Sequence, residues 1–166
     1  MKLFSALSLA LLAASIVSAA WRPATESELK SLIPARAPVV KEHIETEFRT
    51  ASAITNGEGQ YVGGAVLITE GYAAEGKYSI FLITQVPLRV ENLSLPDGEY
   101  AIGWQRHGDD ALTVKFYEAQ SGKFLGQVEA PRMNRKGRID SFRIYPPGAK
   151  DVIEIGRFGM HYKVPE

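Results

Sequence analysis

His43, Glu45 and Glu47 alternate along one stretch of the chain, and alternate side chains on a β-strand project from the same face. An imidazole with two carboxylates on one face forms a ligand set for Zn²⁺ or another divalent ion. A metal-dependent hydrolase built on it would recruit His107 or His161 as well. The intervening residues argue for a plainer role. Ile44, Thr46 and Phe48 share the other face, and the two large apolar residues among them claim the core, turning His43, Glu45 and Glu47 towards water. No His-Glu-x-x-His motif accompanies them. No cofactor is predicted, a divalent metal being the one these residue types would admit.

His107-Gly108-Asp109-Asp110 sets an imidazole beside two carboxylates, an arrangement able to orient a general base. A glycine with paired aspartates is equally what a tight chain reversal requires. His161 lies between Met160 and Tyr162 with no acid beside it. Ser27, Ser31, Ser52, Ser79, Ser94, Ser121 and Ser141 all lack the Gly-x-Ser-x-Gly elbow and the Ser-x-x-Lys pattern. Gly57-Glu58-Gly59 and Gly63-Gly64 are followed by neither a Lys-Ser pair nor a helix, so they do not form a phosphate-cradling loop. The chain has no cysteine, which excludes thiol catalysis, thiol redox chemistry and cysteine metal sites. The residue types favour binding over catalysis.

Two groups suit a binding role. Tyr100, Trp104, Phe116, Tyr117, Phe124, Tyr145 and Tyr162 enrich the C-terminal half in large rings, which stack on sugars or line an apolar pocket when exposed. Tyr100, Ile102 and Trp104 fall on one strand face and are expected in the core, with Trp104 a candidate for ligand contact. Tyr117, opposite Phe116, is expected to stand exposed. Arg132, Arg135, Lys136 and Arg138 crowd one loop, where they would meet phosphate or carboxylate groups of a cell-envelope polymer or simply form a solvated hairpin tip.

The elements that must position these residues are mostly strands. Thr25-Glu26-Ser27-Glu28 has capping-box spacing ahead of Leu29, Leu32 and Ile33, which predicts a two-turn helix ending before Pro34. Pro34 to Pro38 reads as an extended connector. Beyond Val39 the period becomes two. Tyr61 to Thr69 and Tyr78 to Val86 are nearly continuous apolar runs, the pattern of central strands. Glu99 to Arg106, Ala111 to Glu118 and Phe124 to Ala130 are separated by turn residues and predict a meander. Arg138 to Tyr145, Asp151 to Phe158 and Met160 to Val164 complete about nine strands. This spacing predicts an all-β, antiparallel β-sandwich, with a closed β-barrel as the alternative.

Met1 to Ala20 reads as a signal peptide: Lys2 is its basic start, Leu3 to Val17 its apolar stretch, and small residues allow cleavage after Ala19 or Ala20. The domain plan is then a leader over residues 1–20, a short helix and connector over 21–38, and one β domain over 39–166. The expected location is secreted or periplasmic. Nineteen basic residues balance nineteen acidic ones, which gives no electrostatic case for nucleic acid.

Val86-Pro87-Leu88-Arg89-Val90, followed by Leu95-Pro96-Asp97-Gly98-Glu99-Tyr100, resembles a VP(F/L)…LPxGxY pattern of exported bacterial β-rich proteins, mostly uncharacterised. The resemblance covers the middle of the chain, implies a β-sandwich and brings no catalytic residues; Asp97 replaces the usual small residue. The combined expectation is an exported, non-catalytic β-sandwich that binds or assembles at the cell envelope, with an apolar-ligand carrier barrel or a metal-dependent hydrolase as alternatives. Its partner would be an envelope polymer or a small ligand, and Met160 to Val164 is the expected edge for a homodimer.

Overall fold

A computed structural model describes residues 20–165. The leader expected over residues 1–20 therefore lies outside them, apart from Ala20. In chain order the elements are β1 (Arg22–Pro23), α1 (Glu26–Leu32), β2 (Arg36–Val39), β3 (Glu42–Thr55), β4 (Tyr61–Leu67), α2 (Gly71–Ala74) and β5 (Ile80–Thr84). There follow β6 (Leu88–Val90), β7 (Leu93–Leu95), β8 (Gly98–His107), β9 (Ala111–Glu118), β10 (Phe124–Pro131), β11 (Arg143–Ile144), β12 (Val152–Ile155) and β13 (Phe158–Lys163). No helix among them is long and apolar enough to cross a membrane.

The predicted capping box forms as its spacing requires. The Thr25 hydroxyl accepts from the Glu28 backbone N–H at 3.3 Å, and the Glu28 carboxylate accepts from the Thr25 N–H at 2.8 Å. Two amide N–H groups at the helix start thereby find acceptors. Pro34 then stops α1, but the connector after it is itself a strand: β2 pairs with the start of β3, Arg36 opposite Glu45 and Val39 opposite Glu42.

Two antiparallel sheets face each other and do not close into a barrel. The larger has the order β1-β3-β4-β5-β8-β9-β10, with β2 also on β3; the smaller has the order β11-β12-β13-β6-β7. The predicted β8-β9-β10 meander is present, with Trp104 opposite Val114 and Val128 opposite Val114 on the far side. The principal core lies between the sheets: Ile80, Leu82, Ile102 and Phe116 from one meet Leu88, Ile153, Met160 and Tyr162 from the other. Each such side chain contributes about 1.5–3 kcal/mol through burial.

At one edge the sheets are tied by the Ile144 N–H donating to the Ser52 hydroxyl at 3.1 Å. That edge coincides with an irregularity in β3, whose pairing with β4 shifts register between Glu47 and Ser52. Thr50 bridges the gap, its hydroxyl donating to the Glu47 carbonyl at 2.7 Å and accepting from the Val66 N–H at 2.8 Å.

A second core covers the outer face of the larger sheet. Phe81, Ala101 and Tyr117 project outward there and are covered by Val39, Tyr72 and Tyr78. The near-continuous apolar reading of β4 and β5 is explained by this double coverage. The expected edge at Met160 to Val164 is corrected: β13 lies inside the smaller sheet, with β12 on one side and β6 on the other. A strand whose two ladders are occupied has no free N–H row for a second copy. Among the described residues, the smaller sheet ends instead on β11 and β7.

Candidate functional site: an apolar cleft between the sheets

At one end of the sandwich the two sheets part. The ends of β4 and β8 and the starts of β5 and β9 meet the β12–β13 turn there, around a cleft of about 540 Å³. Its walls are apolar: Val66, Ile80, Trp104 and Leu112 come from the larger sheet, Ile155 and Phe158 from the smaller. Ile139, one of the few exposed large apolar residues, forms part of the rim.

Trp104 reaches this cleft because Tyr100, Ile102 and Trp104 point inward along β8, as expected. The first two are buried in the core, whereas Trp104 is only partly covered and packs at its margin. The same parity carries one residue further, to Arg106. Its guanidinium carbon lies 5.7 Å from the centre of the Phe158 ring, within reach of a cation–π attraction. Arg157, in the β12–β13 turn, lines the cleft beside Phe158. Neither arginine takes part in an ion pair among the described residues. Among the described residues, no aspartate or glutamate lines the cleft. The polar groups within it are few, chiefly the hydroxyls of Thr69, Ser79 and Ser141.

The other residues singled out from the sequence lie elsewhere. Tyr117 corrects the expectation that it stands exposed: it retains 8% exposure and packs edge-on against Tyr78, with ring centres 5.2 Å apart. The outer-face core claims it, and the exposed ring beside it is Phe124, 5.6 Å away and 51% exposed.

The basic loop does not present four free cations. Arg135 pairs with Glu154 at 2.6 Å, Arg138 with Asp140 at 3.1 Å, and Arg132 donates to the Asp109 carbonyl at 3.4 Å. Lys136 stands exposed. Cations missed in that reading gather nearby: Arg143 and Lys150, with Arg135, lie 4.5–5.0 Å from the centre of the Tyr145 ring.

His43 and Glu45 project into solvent, and Glu47 is engaged by Arg49 at 3.0 Å, which holds its carboxyl below the usual carboxylate range. Among the described residues no group of three or more metal-ligating side chains converges. His107 meets neither aspartate of its turn; its Nδ1 lies 3.5 Å from Glu129 on β10. His161 is exposed, and its backbone N–H, not its ring, donates to the Glu91 carboxylate at 2.5 Å.

A second, more polar cleft of about 630 Å³ runs between β3 and residues 138–146. Its charged side chains are engaged within the chain, Glu47 with Arg49 and Asp140 with both Arg138 and Arg143, which leaves one cation in excess. It offers a ligand little uncompensated charge.

Comparisons with known proteins return no match: no family model, no curated protein and no solved structure aligns with this chain.

Proposed function

We propose that this protein is a non-catalytic binding protein that holds a small apolar molecule in the cleft between its two sheets. The observation that carries this reading is the cleft's composition, an apolar space of about 540 Å³ lined by Trp104 and Phe158 among others, with few polar groups. Ligand sites typically have volumes of about 300–1,000 Å³ and mostly apolar walls with a few placed polar groups. The leader expected over residues 1–20 supports a working place outside the cytoplasm, secreted or periplasmic. There the protein would carry or retain an apolar component of the cell envelope.

Trp104 provides its own reporter. In a Trp21→Phe background it is the one remaining tryptophan, and a neutral aliphatic alcohol such as decanol should alter its emission saturably. Ile139→Asn, at a partly exposed rim position, should weaken that binding several-fold without unfolding the protein. If Trp104 emission does not respond to decanol at any attainable concentration, the reading fails.

A further inference from the structure

We propose that the cleft selects an amphipathic carboxylate, a fatty-acid anion, with its chain between the sheets and its head group held at the rim by Arg106 and Arg157. This inference rests on the reading of the cleft as an apolar-ligand site and adds the chemistry of the ligand's polar end.

Three observations carry it. The first is the position of Arg106. It continues the inward parity of Tyr100, Ile102 and Trp104, so the strand brings an exposed guanidinium to the rim of an apolar cleft. Phe158 holds it there by the contact of its ring face.

The second is the contrast with other arginines. Arg22, Arg49, Arg135, Arg138 and Arg143 each face a carboxylate of this chain. Arg36, Arg89, Arg106, Arg132 and Arg157 face none among the described residues, and of these Arg106 and Arg157 are the two that line this cleft. Guanidinium groups bind carboxylates in a planar, often two-pronged geometry, and the chain supplies no such partner here.

The third is the absence of negative charge along the walls. With no acid among the described residues lining the cleft, a cationic ligand would meet two like charges, and a neutral one would leave the guanidinium groups without an anionic partner. A carboxylate satisfies them, and the Ser79 and Ser141 hydroxyls offer additional polar contacts within the same space. The apolar chain then accounts for the remaining wall.

Decanoate and decanol share a chain and differ in charge, so they separate the head-group assignment from the apolar reading. Both are titrated at low ionic strength and a pH where decanoate is ionised, with Trp104 emission as the signal in the Trp21→Phe protein. Decanoate should bind about tenfold more tightly than decanol. Replacing both arginines (Arg106→Gln, Arg157→Gln) should bring the two ligands close to parity, and salt should shrink the preference in the parent. A thermal melt and circular dichroism spectrum matching the parent's show that the variant is folded. Lengthening the carboxylate should raise affinity about threefold to fourfold per methylene until the cleft is filled. Equal affinities in the parent, or a carboxylate preference that survives the double substitution, overturn the head-group assignment while leaving the apolar reading in place. If neither ligand binds, both fail.

Discussion

Arg135 donates to Glu154 across 2.6 Å, joining the loop after β10 to the inner strand β12, with the two side chains only 20% and 6% exposed. The contact decides what the basic loop does. A buried carboxylate needs a partner, and its arginine is then committed to the fold. Arg135→Ala strands the Glu154 charge and should cost about 3–5 kcal/mol of stability. Replacing both residues, Arg135→Ala with Glu154→Leu, should recover much of that loss because no charge remains buried. Urea denaturation of the single and double variants measures the difference. A single variant as stable as the parent would show that the loop is anchored by other contacts.

The Arg22 guanidinium, aided by the Thr25 N–H, holds the Glu28 carboxyl down at a pKa of about 2, against an ordinary value of 4.5. A carboxyl depressed on folding binds fewer protons in the native state than in the unfolded chain. Its stabilising contribution is complete above the unfolded value and is lost as pH falls through about 2. Side-chain NMR should therefore show Glu28 titrating near the lower value. In Arg22→Ala the midpoint should move upward, and fraying of α1 should begin at higher pH. A Glu28 midpoint near 4.5 in the parent would contradict this account of the helix start.

Gly103 sits where β8 passes under the segment following α2. A Cβ there would lie 2.1 Å from the Gly76 carbonyl oxygen and 2.7 Å from the Lys77 Cα, both backbone atoms. Gly103→Ala must displace the chain and should cost at least the upper part of roughly 1–3 kcal/mol. Gly108 is a useful contrast: its φ is +69° and nothing lies within 4 Å of an added Cβ. Asparagine tolerates that left-handed conformation, so Gly108→Asn should change stability by less than about 1 kcal/mol. Thermal melts that rank the two substitutions in the opposite order would contradict this packing.

Local signals carried much of the architecture. The capping box at Thr25 and the β8-β9-β10 meander were legible because alternation and turn chemistry act over neighbouring residues. β6 and β7 were missed because three-residue strands around Pro87 and Glu91-Asn92 show too little periodicity to register. Tyr117 was misplaced for another reason. Alternation put it opposite Phe116, but the chain beside it cannot reveal that Tyr78 and Val39 return to cover the outer face. The same limit applies to β13, whose last position in sequence says nothing of its inner position in the sheet. At the cleft, Trp104 was named and Arg106 was not, although a charged residue at an inward parity is a signal that the sequence does contain. Arg157 left no such trace, since a turn arginine reads as solvated until its turn is placed against Trp104 and Leu112.

The central claim, that the cleft between the sheets takes an apolar ligand, is tested most directly by methyl NMR of the isoleucine, leucine and valine side chains during a decanol titration. Saturable shifts are expected to concentrate at Val66, Ile80 and Leu112 of the larger sheet, Ile155 of the smaller one and Ile139 of the loop between β10 and β11, all of which line this cleft. Methyls of the outer-face core, such as Val39 and Ile44, should stay in place. Shifts centred on the outer face near Phe124, or no saturable shift at the cleft residues, would contradict the claim.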